Sequence, residues 1–240
     1  MEENQINSSF SCGIPEFVGT AIGDTIGLVI ANIDPELREK MLIEDRIHSI
    51  GILGSRTGAG AQILAIDDAM KATNTEIISV ELPRDTKGGG GHGCLIIIGA
   101  DHVSDARKAI EIALELTNKN CGDIYVSSAG HMEFQYSARA GQAIEKAFGA
   151  PCGQAFGIIC ACPAPIGLFI SDAAVKSADV SIVKCASPTR NTSLTNEVNI
   201  FISGNAAAVR QAVLTARHLG TQLLMTMGEK PESIAVPYIK

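Results

Sequence analysis

The sequence predicts a chain of mixed strands and helices in which one domain is made twice. Two stretches carry the prediction: Gly51 to Glu81, GILGSRTGAGAQILAIDDAMKATNTEIISVE, and Gly157 to Ser187, GIICACPAPIGLFISDAAVKSADVSIVKCAS. Each runs from a short apolar segment through small and turn-forming residues into helical spacing, then into a β-rich run. Asp172 and Lys176 repeat Asp67 and Lys71 at one common offset of 105 residues. A length of 240 residues suits two domains of ordinary size.

In chain order, residues 1–15 are expected to be a flexible polar tail, with one domain over 16–128 and a second over 129–240. Glu16–Ala31 is apolar and punctuated by Gly19, Gly23 and Gly27, which reads as two strand segments turning at Gly23-Asp24. Asp34-Pro35 pairs an N-cap with a proline at the first helical position and opens a short helix through Met41. In the first core Ile63, Ile66 and Met70, and in the second Leu168, Ser171 and Val175, form stripes spaced to face a core. Strands at Thr75–Val80 and Val180–Val183 follow. Pro83–Gly93, PRDTKGGGGHG, is expected to be a mobile loop, because glycine leaves the backbone nearly unrestricted.

Cys94–Ile98 then reads as a buried strand, and Ser104–Leu116 as a helix with Ala106, Ile110, Ala113 and Leu114 on one face. Ile124–Val126 is read as the strand that closes the first half. The second half begins near Glu133, where Glu133-Phe134 echoes Glu16-Phe17, with a helix over Ser137–Phe148 stopped by Gly149 and Pro151. Pro188–Asn196 stands where the glycine loop stands, Val198–Ile202 matches Cys94–Ile98, and Ala206–Leu219 matches the helix at 104–116. The ending SIAVPYIK reads as a last strand or an arm.

Composition excludes several classes of function. A net charge of −7 and a pI near 5.2 argue against a general nucleic-acid binder, which needs a basic face. No apolar run approaches the roughly 20 residues of a membrane span, and MEENQINSSFSCG lacks the basic and apolar regions of a signal peptide, so a cytoplasmic protein is expected. The 7 cysteines read as reduced, buried thiols. Aromatics at 4% and the absence of Trp leave Ala, Ile, Val and Gly to do the packing, which suits flat interfaces.

Four motifs invite chemistry. Gly54–Gly60, GSRTGAG, lacks the Gly-Lys-Ser/Thr ending of a phosphate loop and reads as a strand-to-helix turn. His92 lies in the glycine run with no companion at metal-ligand spacing. Cys160-Ala-Cys162 has Ser55 and Thr57 as its counterparts at the repeat offset and no basic residue nearby in sequence, so tight packing is favoured over thiol chemistry. Lys71 and Lys176 sit one helical turn after Asp67 and Asp172. They fit either ordinary i,i+4 ion pairs or rim lysines that contact the next copy in an assembly. Neither a metal nor a catalytic residue set nor a cofactor is expected.

With the repeat, the two Asp-x-x-x-Lys helices and the glycine loop laid out, the chain resembles a tandem bacterial microcompartment (BMC) shell protein. IGILGSRTGAGAQILAIDDAMKATNTEIISVE and AFGIICACPAPIGLFISDAAVKSADVSIVKCA each resemble the core of a BMC domain. The opening EFVGTAIGDTIGLVIANIDPELREKM is closest to the PduB and EtuB type, from propanediol- and ethanol-utilising compartments. Placing strand and helix elements ahead of each core resembles the circularly permuted form of the domain.

The resemblance implies an α+β fold of two ferredoxin-like BMC domains, each a four-stranded antiparallel sheet flanked by helices. It implies a homotrimer that forms a flat pseudo-hexagonal tile in the microcompartment shell, with other shell proteins as partners. The tail is a candidate contact to encapsulated enzymes. The family's edge lysine maps onto Lys176, and onto Lys71 with Asp68 where the motif has Ala. Pore-lining candidates are Ser55, Arg56 and Thr57 after the first core strand, Gly89, Gly90, Gly91 and His92, and Arg190, Asn191, Thr192 and Ser193. Small alcohols or diols are the expected pore solutes, with the shell retaining aldehyde intermediates. The alternative is a small-ligand-sensing regulatory module with paired ferredoxin-like domains, and an enzyme built on Cys160, Cys162 and His92 is a further rival.

Overall fold

The computed structural model describes residues 13–56, 58–83, 93–191 and 195–240, and its two sheets divide the chain as the duplication requires. The first unit opens with the hairpin β1 (Phe17–Ala21) and β2 (Thr25–Ile30) and the short helix α1 (Pro35–Lys40). Its core is β3 (Ser49–Ser55), α2 (Gly60–Lys71), β4 (Glu76–Glu81), β5 (Cys94–Ala100) and α3 (Val103–Asn120). The second unit repeats this order as the hairpin β6 (Ile124–Ser127) and β7 (Gly130–Ser137), then α4 (Gln142–Phe148), β8 (Ala155–Cys162), α5 (Ala164–Ser177), β9 (Val180–Ala186), β10 (Val198–Gly204) and α6 (Ala206–Met225). A two-residue strand β11 (Glu232–Ser233) pairs with β6.

The expected four-stranded antiparallel set is present in each unit, as β2-β3-β5-β4 and β7-β8-β10-β9. Each is extended at the hairpin edge, to five strands by β1 and to six by β6 and β11. Local chemistry accounts for the early elements. Gly23 (φ 82°) and Asp24 (φ 51°) make the left-handed turn between β1 and β2, a region open to Gly and tolerated by Asp. Asp34 accepts from the N–H groups of Glu36 and Leu37 at 2.9 and 3.1 Å and so caps α1.

Four readings are corrected. Ile124–Val126 does not close the first half: a two-residue turn returns it onto β7, and β6 belongs to the second sheet. The helix expected over Ser137–Phe148 begins only at Gln142, since residues 130–137 are β7 and bury Met132 and Phe134 against the core. Glu133 does not correspond to Glu16. β7 pairs with β8 as β2 pairs with β3, and with Gly157 matched to Gly51 that register puts Glu133 where Ile26 stands. Finally, Leu168 is exposed at 62%, although its counterpart Ile63 is fully buried.

That difference follows from where the cores sit. One core fills the junction between the units, with Ile63, Leu64, Ile66 and Ala69 of α2 packed with Ala143, Ile144 and Phe148 of α4 and Phe156 and Ile158 of β8. Phe148 stacks on Phe156 and Phe201 at centroid distances of 5.3 and 4.5 Å. A second core lies between α5, α6 and the second sheet, around Met132, Phe134, Ile159 and Val213. α5 therefore covers its own sheet but has no second unit on its outer side.

The C-terminal stretch is an arm pinned by a buried carboxylate. Asp123 accepts from Arg217 Nη1 at 2.6 Å and from the N–H groups of Tyr238 and Ile239 at 2.8 and 3.0 Å. The Tyr238 hydroxyl donates to Gln135 Oε1 at 3.0 Å, so the arm holds β7 as well.

Candidate functional site

The pore candidates among the described residues, Ser55, Arg56, Arg190 and Asn191, fall at one end of each sheet. Ser55 closes β3 directly opposite Cys94, the first residue of β5, so Ser55 and Arg56 share an end with the loop that joins β4 to β5. Ser55 Oγ donates to the Gly58 carbonyl at 2.9 Å and lies 3.1 Å from Cys94 Sγ, and burial pushes the Cys94 thiol up to about 11. The Gly93 N–H donates to the Pro83 carbonyl and closes the base of that loop. A side chain at Gly93 would meet the Ser55 carbonyl at 2.2 Å, so only glycine fits there.

In the second unit Arg190 and Asn191 lie in the matching connection between β9 and β10, where Ser187 and Arg190 form a bridge. Asn191 adopts φ 59° and its side-chain amide donates to the Cys185 carbonyl. Thr57, Gly89, Gly90, Gly91, His92, Thr192 and Ser193, and the tail over 1–12, lie outside the described residues.

The two lysines, equivalent in sequence, have different surroundings. Lys176 is exposed and pairs with Asp172 at 2.7 Å. Lys71 is bound by Asp67 and Asp68, each at 2.9 Å, and by the Arg139 carbonyl at 2.6 Å. Burial alone would lower its pKa, but hydrogen bonds to the two aspartates raise it above the ordinary lysine value. Asp67 is itself fully buried and accepts from the N–H groups of Gly141, Ala143 and Ile144 at 2.9, 3.0 and 3.2 Å. A carboxylate more than seventy residues away in sequence thus caps α4, a helix with no side-chain cap of its own.

Sequence reading missed the side chains around Cys160. Register places His131 opposite Cys162, and Glu133 and Asn199 opposite Cys160, so all five share a face with Glu197 just ahead of β10. His131 Nε2 lies 3.1 Å from Glu197 Oε2, and Cys160 Sγ donates to the same oxygen at 3.7 Å. The basic residue that sequence lacked near Cys160 is therefore His131, which a neighbouring strand supplies.

Burial alone would lower the His131 pKa, but hydrogen bonds to Cys162 and Glu197 and the charge of Glu197 hold it up to about 9. Burial would raise Glu197, yet the hydrogen bonds from His131 and Asn199 hold it below the usual carboxylate value. Burial, with the Glu197 and Glu133 charges, pushes the Cys160 thiol well up. Burial also raises Glu133, whose carboxylate meets the start of α2 at Gly60. Long-range strand pairing thus gathers an acid, a base and a thiol on one face, and burial holds the thiol back from ionising.

The BMC domain family matches the chain twice, over residues 49–129 and 155–230. The chain is 56% identical over 229 residues to the bacterial microcompartment shell protein PduB of Salmonella typhimurium, covering 95% of this chain and 85% of that protein. It is 50% identical over 228 residues to PduB of Limosilactobacillus reuteri, covering 95% and 96%. Among solved structures, a trimeric bacterial microcompartment shell protein PduB superposes with a TM-score of 0.90 at 49% identity, over 94% of this chain and 100% of that one. EtuB from Clostridium kluyveri gives 0.90 at 51%, over 94% and 99%. The PduB relatives are named as shell proteins rather than enzymes, as the two BMC cores and the opening stretch led us to expect. The chain belongs to the bacterial microcompartment shell proteins, as a member with two BMC domains in tandem.

Proposed function

We propose that three copies of this chain close into a pseudo-hexagonal tile of a microcompartment shell, and that its pores pass small polar solutes such as alcohols and diols. The observation that carries the trimer is the unequal exposure of equivalent residues. Ile63 and Leu64 of α2 are buried in the junction between units, whereas Leu168 and Phe169 of α5 are 62% and 52% exposed. Ile182 of β9, the counterpart of Ile77 at the same junction, is 53% exposed. An apolar patch left open on the second unit calls for a neighbour to supply what the second unit supplies to the first. A head-to-tail contact of this kind closes into a ring when the rotation permits. The trimeric PduB relative supports the count of three.

The pore reading rests on the two loop-bearing corners. Ser55 and Arg56 beside the 84–92 loop, and Arg190 and Asn191 beside 192–194, occupy equivalent ends of the two sheets, so a ring of three chains gathers six such corners. Hydroxyl, amide and guanidinium groups replace the water shell of an alcohol better than that of an apolar aldehyde, which the shell would retain. Lys176, and Lys71 with it, would line the tile edge toward other shell proteins, and residues 1–12 would reach encapsulated enzymes. We place the boundary between the units at the 3-10 turn Cys121–Asp123, ahead of β6.

Crystals soaked in glycerol, propanediol or ethanol test the pores. Alcohol density beside Ser55, Thr57, His92 or Arg190 is expected, and soaks that leave those positions holding only water refute the selective-pore reading. Electron microscopy of concentrated protein should show extended hexagonal sheets, and single particles alone would refute the tile.

A further inference from the structure

We infer that His131, Cys160 and Glu197 form a binding site for a zinc-like divalent cation, held on one face of the second sheet. The three ligand atoms lie within 4.8 Å of one another. They come from β7, from β8 and from the residue preceding β10, so three segments converge on one point. A tetrahedral zinc with bonds of about 2.0–2.3 Å sets its ligand atoms roughly 3.3–3.7 Å apart. The observed separations from Glu197 Oε2 are 3.1 Å to His131 Nε2 and 3.7 Å to Cys160 Sγ. Two of the three separations therefore suit a tetrahedral cation, and the third, from His131 Nε2 to Cys160 Sγ, lies within 4.8 Å and closes by side-chain movement.

The donor set selects the metal. One imidazole, one thiolate and one carboxylate suit a borderline cation such as Zn²⁺ and disfavour Mg²⁺ or Ca²⁺, which prefer oxygen ligands throughout. Three protein ligands leave the fourth position to water or a solute, unlike a closed structural site.

The surroundings supply support beyond the three ligands. Asn199 donates through Nδ2 to Glu197 Oε1 at 3.1 Å, which orients the carboxylate. Its carbonyl oxygen Oδ1 is buried and has no partner among the described residues, directly across from Cys160, where it can accept from a metal-bound water. Glu133 adds a second carboxylate on the same face. Binding forms three metal–ligand bonds and releases the Cys160 thiol proton and the His131 proton to solvent, so one cation replaces two protons and the buried cluster keeps its net charge. Because Glu197 ends the connection that begins after β9, an occupied site would tie the base of that loop to the sheet. The inference stands on this cluster alone and not on the tile or its pores.

The test uses the full chain stripped with a chelator and re-equilibrated with zinc chloride, in a background where Cys12, Cys152 and Cys185 are serine. Elemental analysis should find one zinc per chain, and cobalt(II) should give a thiolate-to-metal charge-transfer band. Cys160→Ser and Glu197→Gln should abolish stoichiometric binding while circular dichroism stays unchanged, and Asn199→Ala should weaken it roughly ten-fold. The cobalt band needs no substitution within the cluster, so it stands even if a cluster variant fails to fold. Less than one zinc per chain, no thiolate band, or undiminished binding in folded Cys160→Ser would each overturn the inference.

Discussion

Replacing Asp67 with alanine removes the group that joins the two units most directly. Its buried carboxylate accepts three backbone N–H groups at the start of α4 and pairs with Lys71 at 2.9 Å. The N–H groups of Ala143 and Ile144 are buried, so water does not readily replace the lost acceptor. An unsatisfied buried donor costs about 1–3 kcal/mol, and the lost ion pair adds less, because the Lys71 side chain is 37% exposed and screened by water. Lys71 keeps Asp68 and the Arg139 carbonyl, which lowers the total. A net loss of about 3–4 kcal/mol is expected. At roughly 2–4 °C per kcal/mol for a chain of this size, the midpoint should fall by about 6–16 °C.

Asp172→Ala is the matched control, since the same motif there makes only an exposed pair with Lys176. Its cost should be about 0.3–0.5 kcal/mol. The counterpart of α4 in the first unit, α1, is capped by its own Asp34, so Asp172 has no uncapped helix of that kind to serve. Thermal and urea unfolding should be compared at one protein concentration, because association also shifts the midpoint. Equal shifts in the two variants, within about 0.5 kcal/mol, would refute the capping role.

Gly141→Ala would put a methyl 2.8 and 2.9 Å from the two Asp67 oxygens, so it should destabilise by about 1–3 kcal/mol. Combined with Asp67→Ala it should cost less than the sum, and full additivity in the double-mutant cycle would show that the two do not act together. Lys176→Ala should leave the unfolding midpoint unchanged and weaken sheet formation under the microscope. Lys71→Ala should destabilise as well, by about 1–2 kcal/mol, because the buried Asp67 carboxylate loses its cation while keeping its three backbone donors. Leu168→Glu with Phe169→Glu should shift light scattering from three chains toward one of 25.1 kDa, since each apolar side chain contributes about 1.5–3 kcal/mol when fully buried; an intact trimer would refute the α5 interface.

The sequence by itself determined the elements whose causes are local or periodic. Gly23-Asp24 made a turn, Asp34-Pro35 opened a helix, and the Asp-x-x-x-Lys helices declared the duplication, because turns, caps and helical stripes depend on residues a few positions apart. Cys94–Ala100 and the buried face of α3 were legible for the same reason. What the tertiary structure decided is the difference between the copies. Two units in one chain share one internal junction, and of the two equivalent helices only α2 faces it, so Asp67 became a buried cap with Lys71 bound at its rim, while Asp172 and Lys176 stayed at the surface. Strand pairing decided the rest. It carried β6 into the second sheet and brought His131, Cys160 and Glu197 together from positions up to 66 residues apart. Spacing along the chain carries no trace of such a meeting, because cross-strand neighbours are set by register and not by distance in sequence.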